Sequence, residues 1–527
     1  MLSALLGLLA FFAVSIDAAA LSTVTLDYGT FTALTNTTNG LIYFRGIRYA
    51  DAPVGALRWQ APVSPPTTQL GNVDASNYAN ACIINSQTAT TSTTSEDCLF
   101  GNVYIPITTT ANSSLPVMIY FHGGGFESGS TRDNPPENIV LSSAEPMIFA
   151  TFEYRLGQFG FLGGTAVHEN GILNAGLLDQ KAALVWVQRY ISKFGGDPTR
   201  VTIWGESAGA GSTMFHLIGD GGANANLFHQ AMGDSPSLNF LPNYYDAFVE
   251  GLFTQFVGFV GCGGLATGTD TMACLRAASS NTLALAGSKV LANRTSSLYP
   301  FAPITGGSFI RQRPVEAFRD GNFARVPVLF GSNTNEGAHW SAGLPNPDAN
   351  TSSANATETT VYNFIAGQFS TFTNASFQTA ITKYYPLSDY NGSFSLQGQQ
   401  MYGEMRYICS AVMITGAAQH FGLKAYQYHW DNPTLSSDHG ADLNAFFDGT
   451  RVFDAVDQAL VLAMRGYWTS FVTSGHPLLP APSPGHVDCN GSPRILLHPG
   501  AITLENVTSA LSARCTFWHG LASEIST

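Results

Sequence analysis

The sequence predicts an α/β fold: a mostly parallel central sheet with helices on both faces. Three observations carry that expectation. Short runs at residues 117–121, 147–154, 201–204 and 326–330 are dense in β-branched, aromatic and aliphatic side chains, the pattern of strands buried on both faces. Between the second and third, Leu177, Leu178, Ala182, Val185, Trp186 and Ile191 recur at helical spacing within residues 174–194, and Gly195-Gly196 and Pro198 close the segment. The third strand then runs into Gly205-Glu206-Ser207-Ala208-Gly209 and a small, helix-compatible stretch ending at Leu217, giving strand, sharp turn and helix.

Strands alternating with crossover helices place functional loops at the carboxyl ends of the strands. Ser207 lies at one such end. With 527 residues the chain has the length of two or three average domains, yet it shows neither a clear linker nor an internal repeat, so residues 21–527 are expected to form a single catalytic domain. The stretch 346–376, rich in Asn, Thr, Ser and Ala, reads as a glycosylated surface insertion followed by weak helix.

Composition narrows the functional classes. With 45% hydrophobic residues and 12% aromatics there is ample material for a packed core. A formal charge of −13, only 23 Lys plus Arg, and the absence of any basic run argue against nucleic acid as a partner. Residues 1–20 carry an apolar stretch at 5–16 followed by Asp17 and Ala18-Ala19-Ala20, which reads as a signal peptide cleaved near Ala20; the missing Lys or Arg before the stretch leaves an uncleaved anchor as the rival, though the stretch is short for a membrane span. Sequons at Asn36, Asn112, Asn293, Asn350, Asn355, Asn374, Asn391 and Asn506, with a Pro-followed one at Asn490, suit a secreted, extracellular glycoprotein without a stable membrane anchor. The seven cysteines show no metal-ligand spacing and read as disulfides with one left over. Cys82 with Cys98 and Cys262 with Cys274 would each close a short loop. The sequence alone leaves Cys409, Cys489 and Cys515 open.

The turn at Ser207 forces a non-glycine residue into a strained backbone conformation, tolerated because glycines flank it two residues either side. A helix N-terminus follows, so amide N–H groups and the positive dipole end stand where an oxyanion would form. This is the pattern of a serine hydrolase. Taken alone the pentapeptide is a weak sign in a glycine-rich chain, and an inert Gly-Ser loop is the other reading. Further parts raise it. Tyr120-Phe121-His122-Gly123-Gly124-Gly125-Phe126 follows an earlier strand, and its open amides suit an oxyanion hole shared with Ala208, although a flexible turn would look alike. A serine hydroxyl needs a base, and the base needs an acid. Glu336 lies just past the strand at 326–330, and His439 lies in the loop Ser437-Asp438-His439-Gly440, so the chain order Ser207, Glu336, His439 fits. His122, His216, His420 and His429 compete for the base, and acids after strands often only cap helices. No cofactor or metal is expected.

These segments together resemble the type-B carboxylesterase/lipase family, which includes cholinesterases and fungal lipases and has the α/β-hydrolase fold. The matching stretches are FRGIRYADAPVGALRW (residues 44–59), SEDCLFGNVY (95–104), HGGGFESGS (122–130), YRLGQFGFL (154–162), NAGLLDQKAALVWVQRYISKFGGDP (174–198), VTIWGESAGAGS (201–212), GSNTNEG (331–337) and DHGADL (438–443). The resemblance implies Ser207 as nucleophile, Glu336 as acid and His439 as base, with Gly124, Gly125 and Ala208 as oxyanion donors. It also implies ion pairs of Arg58 with Glu96 and Arg155 with Asp179, and disulfides Cys82 to Cys98 and Cys262 to Cys274. The cholinesterase-like third bridge would join Cys409 to Cys515, with Cys489 to Cys515 as the rival pairing.

Departures bear on substrate. The loop between Cys82 and Cys98 holds fifteen residues, mostly Ser, Thr, Asn and Ala, with no aromatic residue. Cholinesterases bind choline on a tryptophan of this loop, so that cation–π platform is missing here. Family lipases carry a long amphipathic lid there; a short polar one has little apolar surface to open against oil. The expectation is therefore a secreted esterase acting on small, soluble carboxylic esters, with a triglyceride lipase or a non-catalytic cholinesterase-like binding protein as rivals. Pro236 and Gly306 also differ from the usual family residues.

Overall fold

The computed structural model describes residues 21–294, 297–477 and 493–527. The expected leader, Cys489 and the sequon at Asn490 lie outside the described residues. The strands are β1 (Thr23–Leu26), β2 (Gly29–Asn36), β3 (Leu41–Arg48), β4 (Asn72–Ala75), β5 (Ala81–Cys82), β6 (Thr94–Ser95), β7 (Phe100–Pro106) and β8 (Leu115–Phe121). They continue with β9 (Ile148–Phe152), β10 (Gly196–Gly205), β11 (Gln230–Asp234), β12 (Val328–Asn333), β13 (Ala425–Trp430), β14 (Pro493–His498) and β15 (Ala501–Asn506). The large sheet has the order β1-β2-β3-β7-β9-β8-β10-β11-β12-β13-β14-β15, with β4 on β2, and β5 pairs with β6 separately. From β9 to β14 every neighbour is parallel, whereas the pairings β1-β2, β2-β3, β3-β7, β7-β9 and β14-β15 are antiparallel.

The four expected strands correspond to β8, β9, β10 and β12. Their alternation explains the missing polar face: Val117, Ile119 and Phe121 enter one apolar cluster, while Met118 and Tyr120 enter another on the opposite side. Both faces are covered, as in other sheets of parallel strands. The crossover helix is Ala175–Tyr190, buried through Leu177, Ala183, Leu184, Val187 and Tyr190. Its inward stripe is rotated from the expected one. Val185 faces solvent, because Leu177, Gln180, Ala183, Leu184 and Val187 form the buried stripe.

The stretch at 346–376 is not merely a surface insertion. Val361, Phe364 and Ile365 of the helix Glu358–Gln368, with Phe369 and Phe372 after it, fill a third apolar cluster that also takes Cys409, Cys515 and Trp518. The polar composition hid a short run of apolar residues at helical spacing.

Cys82–Cys98, Cys262–Cys274 and Cys409–Cys515 are bonded. Arg58 meets Glu96 at 2.5 and 2.7 Å, and Arg155 meets Asp179 at 2.7 and 2.8 Å; both pairs are buried. Among the described residues no helix is long and apolar enough to cross a membrane.

The strand order fixes where a ligand fits. The chain leaves β8 towards β9 on one side and leaves β10 towards β11 on the other, so the connections diverge between β8 and β10. A crevice opens at such a reversal, outside the carboxyl ends of the strands. Both the triple-glycine loop and Ser207 emerge there.

Candidate active site

Ser207 stands between β10 and the helix Ala208–Ile218 with φ 57° and ψ −119°, a left-handed conformation that costs a non-glycine residue on the order of 1–3 kcal/mol. The neighbourhood enforces it. The Ser207 amide donates to Asp234 O at 2.9 Å, and Ser207 O accepts from the Gly211 amide at 2.8 Å. Glycine is required on either side because the turn is so tight: a Cβ on Gly205 would lie 2.4 Å from Gly209 C, and one on Gly209 would lie 2.0 Å from Phe121 O. The hydroxyl is thereby aimed away from the sheet.

The three side chains far apart in sequence meet. Ser207 Oγ is 2.8 Å from His439 Nε2, and His439 Nδ1 is 2.6 Å from Glu336 Oε2. Glu336 is fixed through its other oxygen, which accepts the Asn333 amide at 2.6 Å and the Ser235 hydroxyl. Asn333, the last residue of β12, also holds the histidine loop, donating from Nδ2 to Asp438 O at 2.8 Å. The Asn335 amide adds a bond to Ser437 O at 2.8 Å. One turn after β12 thus positions both the acid and the imidazole. The Tyr407 ring lies 4.1 Å and the Trp340 ring 5.2 Å from the imidazole, walling the site with aromatics.

The triple-glycine loop follows β8 and is pinned at Gly124 O, which accepts the Glu127 amide at 3.1 Å and both the amide and the hydroxyl of Ser128 at 2.9 Å. It abuts the nucleophile, for a Cβ on Gly123 would lie 3.2 Å from Ser207 Cβ. The amides of Gly124, Gly125 and Ala208 donate to no protein acceptor among the described residues. Such free donors beside a hydroxyl suit a developing oxyanion.

Buried acids surround the imidazole. Glu206 Oε1 is 3.3 Å from His439 Nε2, and burial pushes the Glu206 carboxyl up to about 8 against the opposing pull of the imidazole. Burial alone would lower the pKa of His439, but Glu206 and Glu336 outweigh it and hold it above its ordinary value. Deeper in, Asp442 accepts from Tyr428 Oη at 2.8 Å and Asn333 Nδ2 at 3.2 Å, and Asp234 accepts from Trp204 Nε1 at 2.9 Å. Burial raises both carboxyls, Asp442 to about 6 and Asp234 well above its usual range. Among the described residues no cluster of His, Cys, Asp and Glu is arranged to hold a metal ion.

The competing histidines are engaged elsewhere. His122 stacks on Tyr154 at 4.4 Å with Nδ1 2.9 Å from Gly123 O, His216 meets Gln180 Oε1 at 3.1 Å, and His429 meets Glu505 at 2.7 Å. His420 packs against the Phe421 ring. Sequence reasoning missed Ser235, Asn333, Trp340, Tyr407 and the role of Glu206. Glu206 and Asp442 did carry a signal, since acids inside the serine and histidine motifs stand close to the reacting groups.

Comparison with known proteins agrees with this architecture. A profile described as the carboxylesterase family matches residues 22–494. Lipase 1 of Geotrichum candidum is 34% identical over 335 residues; the match covers 56% of this chain and 59% of that protein, less than two thirds of its length. Secreted lipase 1 of Botryotinia fuckeliana is 30% identical over 482 residues, covering 82% of this chain and 81% of that one. The crystal structure of Aspergillus niger EstA superposes with a TM-score of 0.85 at 29% identity, covering 96% of this chain and 99% of its own. A likeness spanning nearly the whole chain, together with the α/β-hydrolase sheet and its elbow serine, makes this protein a member of the carboxylesterase family.

Proposed function

We propose that the protein is a secreted serine esterase that hydrolyses small, soluble carboxylic esters without a cofactor, its chemistry carried by a single catalytic domain. The observation that carries the reading is the chain of contacts from Ser207 Oγ through the His439 imidazole to Glu336, at 2.8 and 2.6 Å. His439 Nε2 takes the Ser207 proton as Oγ bonds to the ester carbonyl carbon, and the amides of Gly124, Gly125 and Ala208 receive the oxyanion. The alcohol leaves with that proton as the carbonyl re-forms. Water then attacks the acyl-enzyme carbonyl, giving a proton to His439, which returns it to Ser207 Oγ as the Oγ–acyl bond breaks and the carboxylic acid leaves. Glu336 holds the imidazole tautomer with Nδ1 protonated and stabilises its cation. Three disulfides and the secreted lipase among the relatives support an extracellular place.

The relatives named as lipases favour triglyceride as a second reading. The loop closed by Cys82 and Cys98 speaks for soluble esters: it is short, and Thr90 tethers it to Asn281 at 2.9 Å. Ser207→Ala is expected to abolish both p-nitrophenyl acetate hydrolysis and fluorophosphonate labelling; undiminished labelling would show that another serine reacts. A jump in rate when the ester passes its solubility limit would instead favour the lipase reading.

A further inference from the structure

Arg406 is 4% exposed and sits on the π-helical turn Glu404–Ile408. Of the other arginines buried to a similar degree, Arg58, Arg155 and Arg494 each face a carboxylate, and Arg465 donates to Ala445 O at 2.5 Å. Arg406 pairs with no carboxylate among the described residues. Glu404, two residues earlier, is turned away and taken by Arg514 and Tyr385. The one hydrogen bond of the Arg406 side chain runs from Nε to Tyr407 Oη at 3.1 Å, and its terminal nitrogens have no acceptor among the described residues. Its guanidinium instead lies 5.1 to 5.9 Å from the ring centres of Tyr299, Tyr407 and Tyr402. Aromatic faces offset only part of the cost of burying a cation, so a guanidinium without a carboxylate keeps unused capacity for an anion.

The guanidinium lines a largely apolar cavity with Asn239, Phe240, Phe248, Tyr299 and Phe301. About 40 Å³ is free at its centre, enough for roughly two or three waters. No member of the triad lines the cavity, but Tyr407, which holds Arg406 Nε, lies 4.1 Å from the His439 ring. Tyr299, beside Arg406, packs so closely on Gly125 that a Cβ there would lie 2.0 Å from its ring. Arg406 O accepts the Leu238 amide at 2.7 Å, next to Ser237, whose amide donates to Ser207 O at 3.3 Å.

We propose that Arg406 is a specificity-determining residue that pairs with a carboxylate carried on the substrate, the apolar wall taking the carbon chain between that carboxylate and the scissile ester. The preferred substrates are then acidic esters, such as half-esters of dicarboxylic acids. With a net charge of −13 the protein as a whole repels such molecules, so a local cation is what admits them. The inference rests on the esterase reading above and specifies its substrate class.

Two isosteric pairs test it and report which side of the ester carries the charge. Monoethyl glutarate is compared with monoethyl glutaramate, and butyryloxyacetate with butyryloxyacetamide, each by kcat/KM. In the wild-type protein at least one pair should favour the carboxylate about 10- to 100-fold, the range of a charge-assisted pair. Arg406→Gln should bring that ratio to near unity and Arg406→Lys should keep part of it. Because the ratio is taken within each protein, a general loss of turnover cancels. Wild-type ratios near one in both pairs, or a preference that survives Arg406→Gln, would overturn the proposal while p-nitrophenyl acetate hydrolysis left the esterase reading standing.

Discussion

Ser235 donates its hydroxyl to Oε1 of Glu336, the oxygen that His439 does not use. With the Asn333 amide on the same oxygen, the carboxylate is clamped from behind while Oε2 faces the imidazole. The backbone around Ser235 is itself shaped for this, with φ 55° at Ser235 and Pro236 O accepting the Ser410 hydroxyl. The unusual Pro236 therefore leaves the clamp intact.

Ser235→Ala removes one charge-assisted donor but keeps the Asn333 amide. The loss of one such bond is worth about 1.5 kcal/mol, so kcat should fall roughly 10-fold with KM little changed. Steady-state kinetics on p-nitrophenyl butyrate check it; an unchanged kcat would mean the Asn333 amide alone fixes Glu336.

Glu206 faces the same imidazole nitrogen as Ser207 and helps raise the pKa of His439. A base must be neutral to accept a proton, so kcat/KM should rise with pH through a midpoint above the ordinary histidine value of about 6.5. Glu206→Gln removes the acid and should move that midpoint down. A pH–rate profile reads it directly; a midpoint that stays in place would assign the raised value to Glu336 alone.

Different parts of the site were legible in the sequence for different reasons. Ser207, Gly124, Gly125 and Ala208 belong to local patterns in which strand, tight turn and helix N-terminus are written in consecutive residues. Glu336 and His439 were reached through chain order and family resemblance, because no short-range rule tells which acid or histidine a sheet will bring to a serine. Arg406 and Tyr407 gave no signal at all. They sit in a helix whose π-helical turn re-aims consecutive side chains towards the site, and that change of period is set by tertiary packing. The segment at 346–376 does carry the expected helix, but its packing was hidden for a related reason: most of its Ser and Thr residues lie outward, while Val361 and a few spaced Phe and Ile residues make the contacts.

Gly125 has φ 66° and no room for a side chain against Tyr299. Gly125→Ala therefore meets both backbone strain and a ring, and the loop must shift, carrying its amide away from the proposed oxyanion position. Loss of one such donor costs about 10²- to 10³-fold in kcat. The drop should appear at little cost to the melting temperature, since the loop is anchored separately at Gly124 O. A variant with near wild-type kcat would remove Gly125 from the donor set.

Glu127, two residues beyond that loop, is buried with Oε1 accepting the Phe301 amide at 2.8 Å. Burial pushes its carboxyl up to about 8, against the pull of the Phe301 amide, the Asn85 side chain and Arg294. In the unfolded chain the same group titrates near 4.3. Between those values the folded protein keeps a proton that the unfolded chain has released, so this group makes stability fall as pH rises through that window. Glu127→Gln has no proton to lose and retains an acceptor for Phe301. It should match the wild type near pH 5 and exceed it near pH 8, by an amount on the order of a few kcal/mol. Glu153, raised to about 7, acts in the same direction, so the variant flattens the decline without abolishing it. Urea unfolding at both pH values decides the matter: parallel declines for the two proteins would mean that Glu127 ionises in the folded state as freely as in the unfolded one.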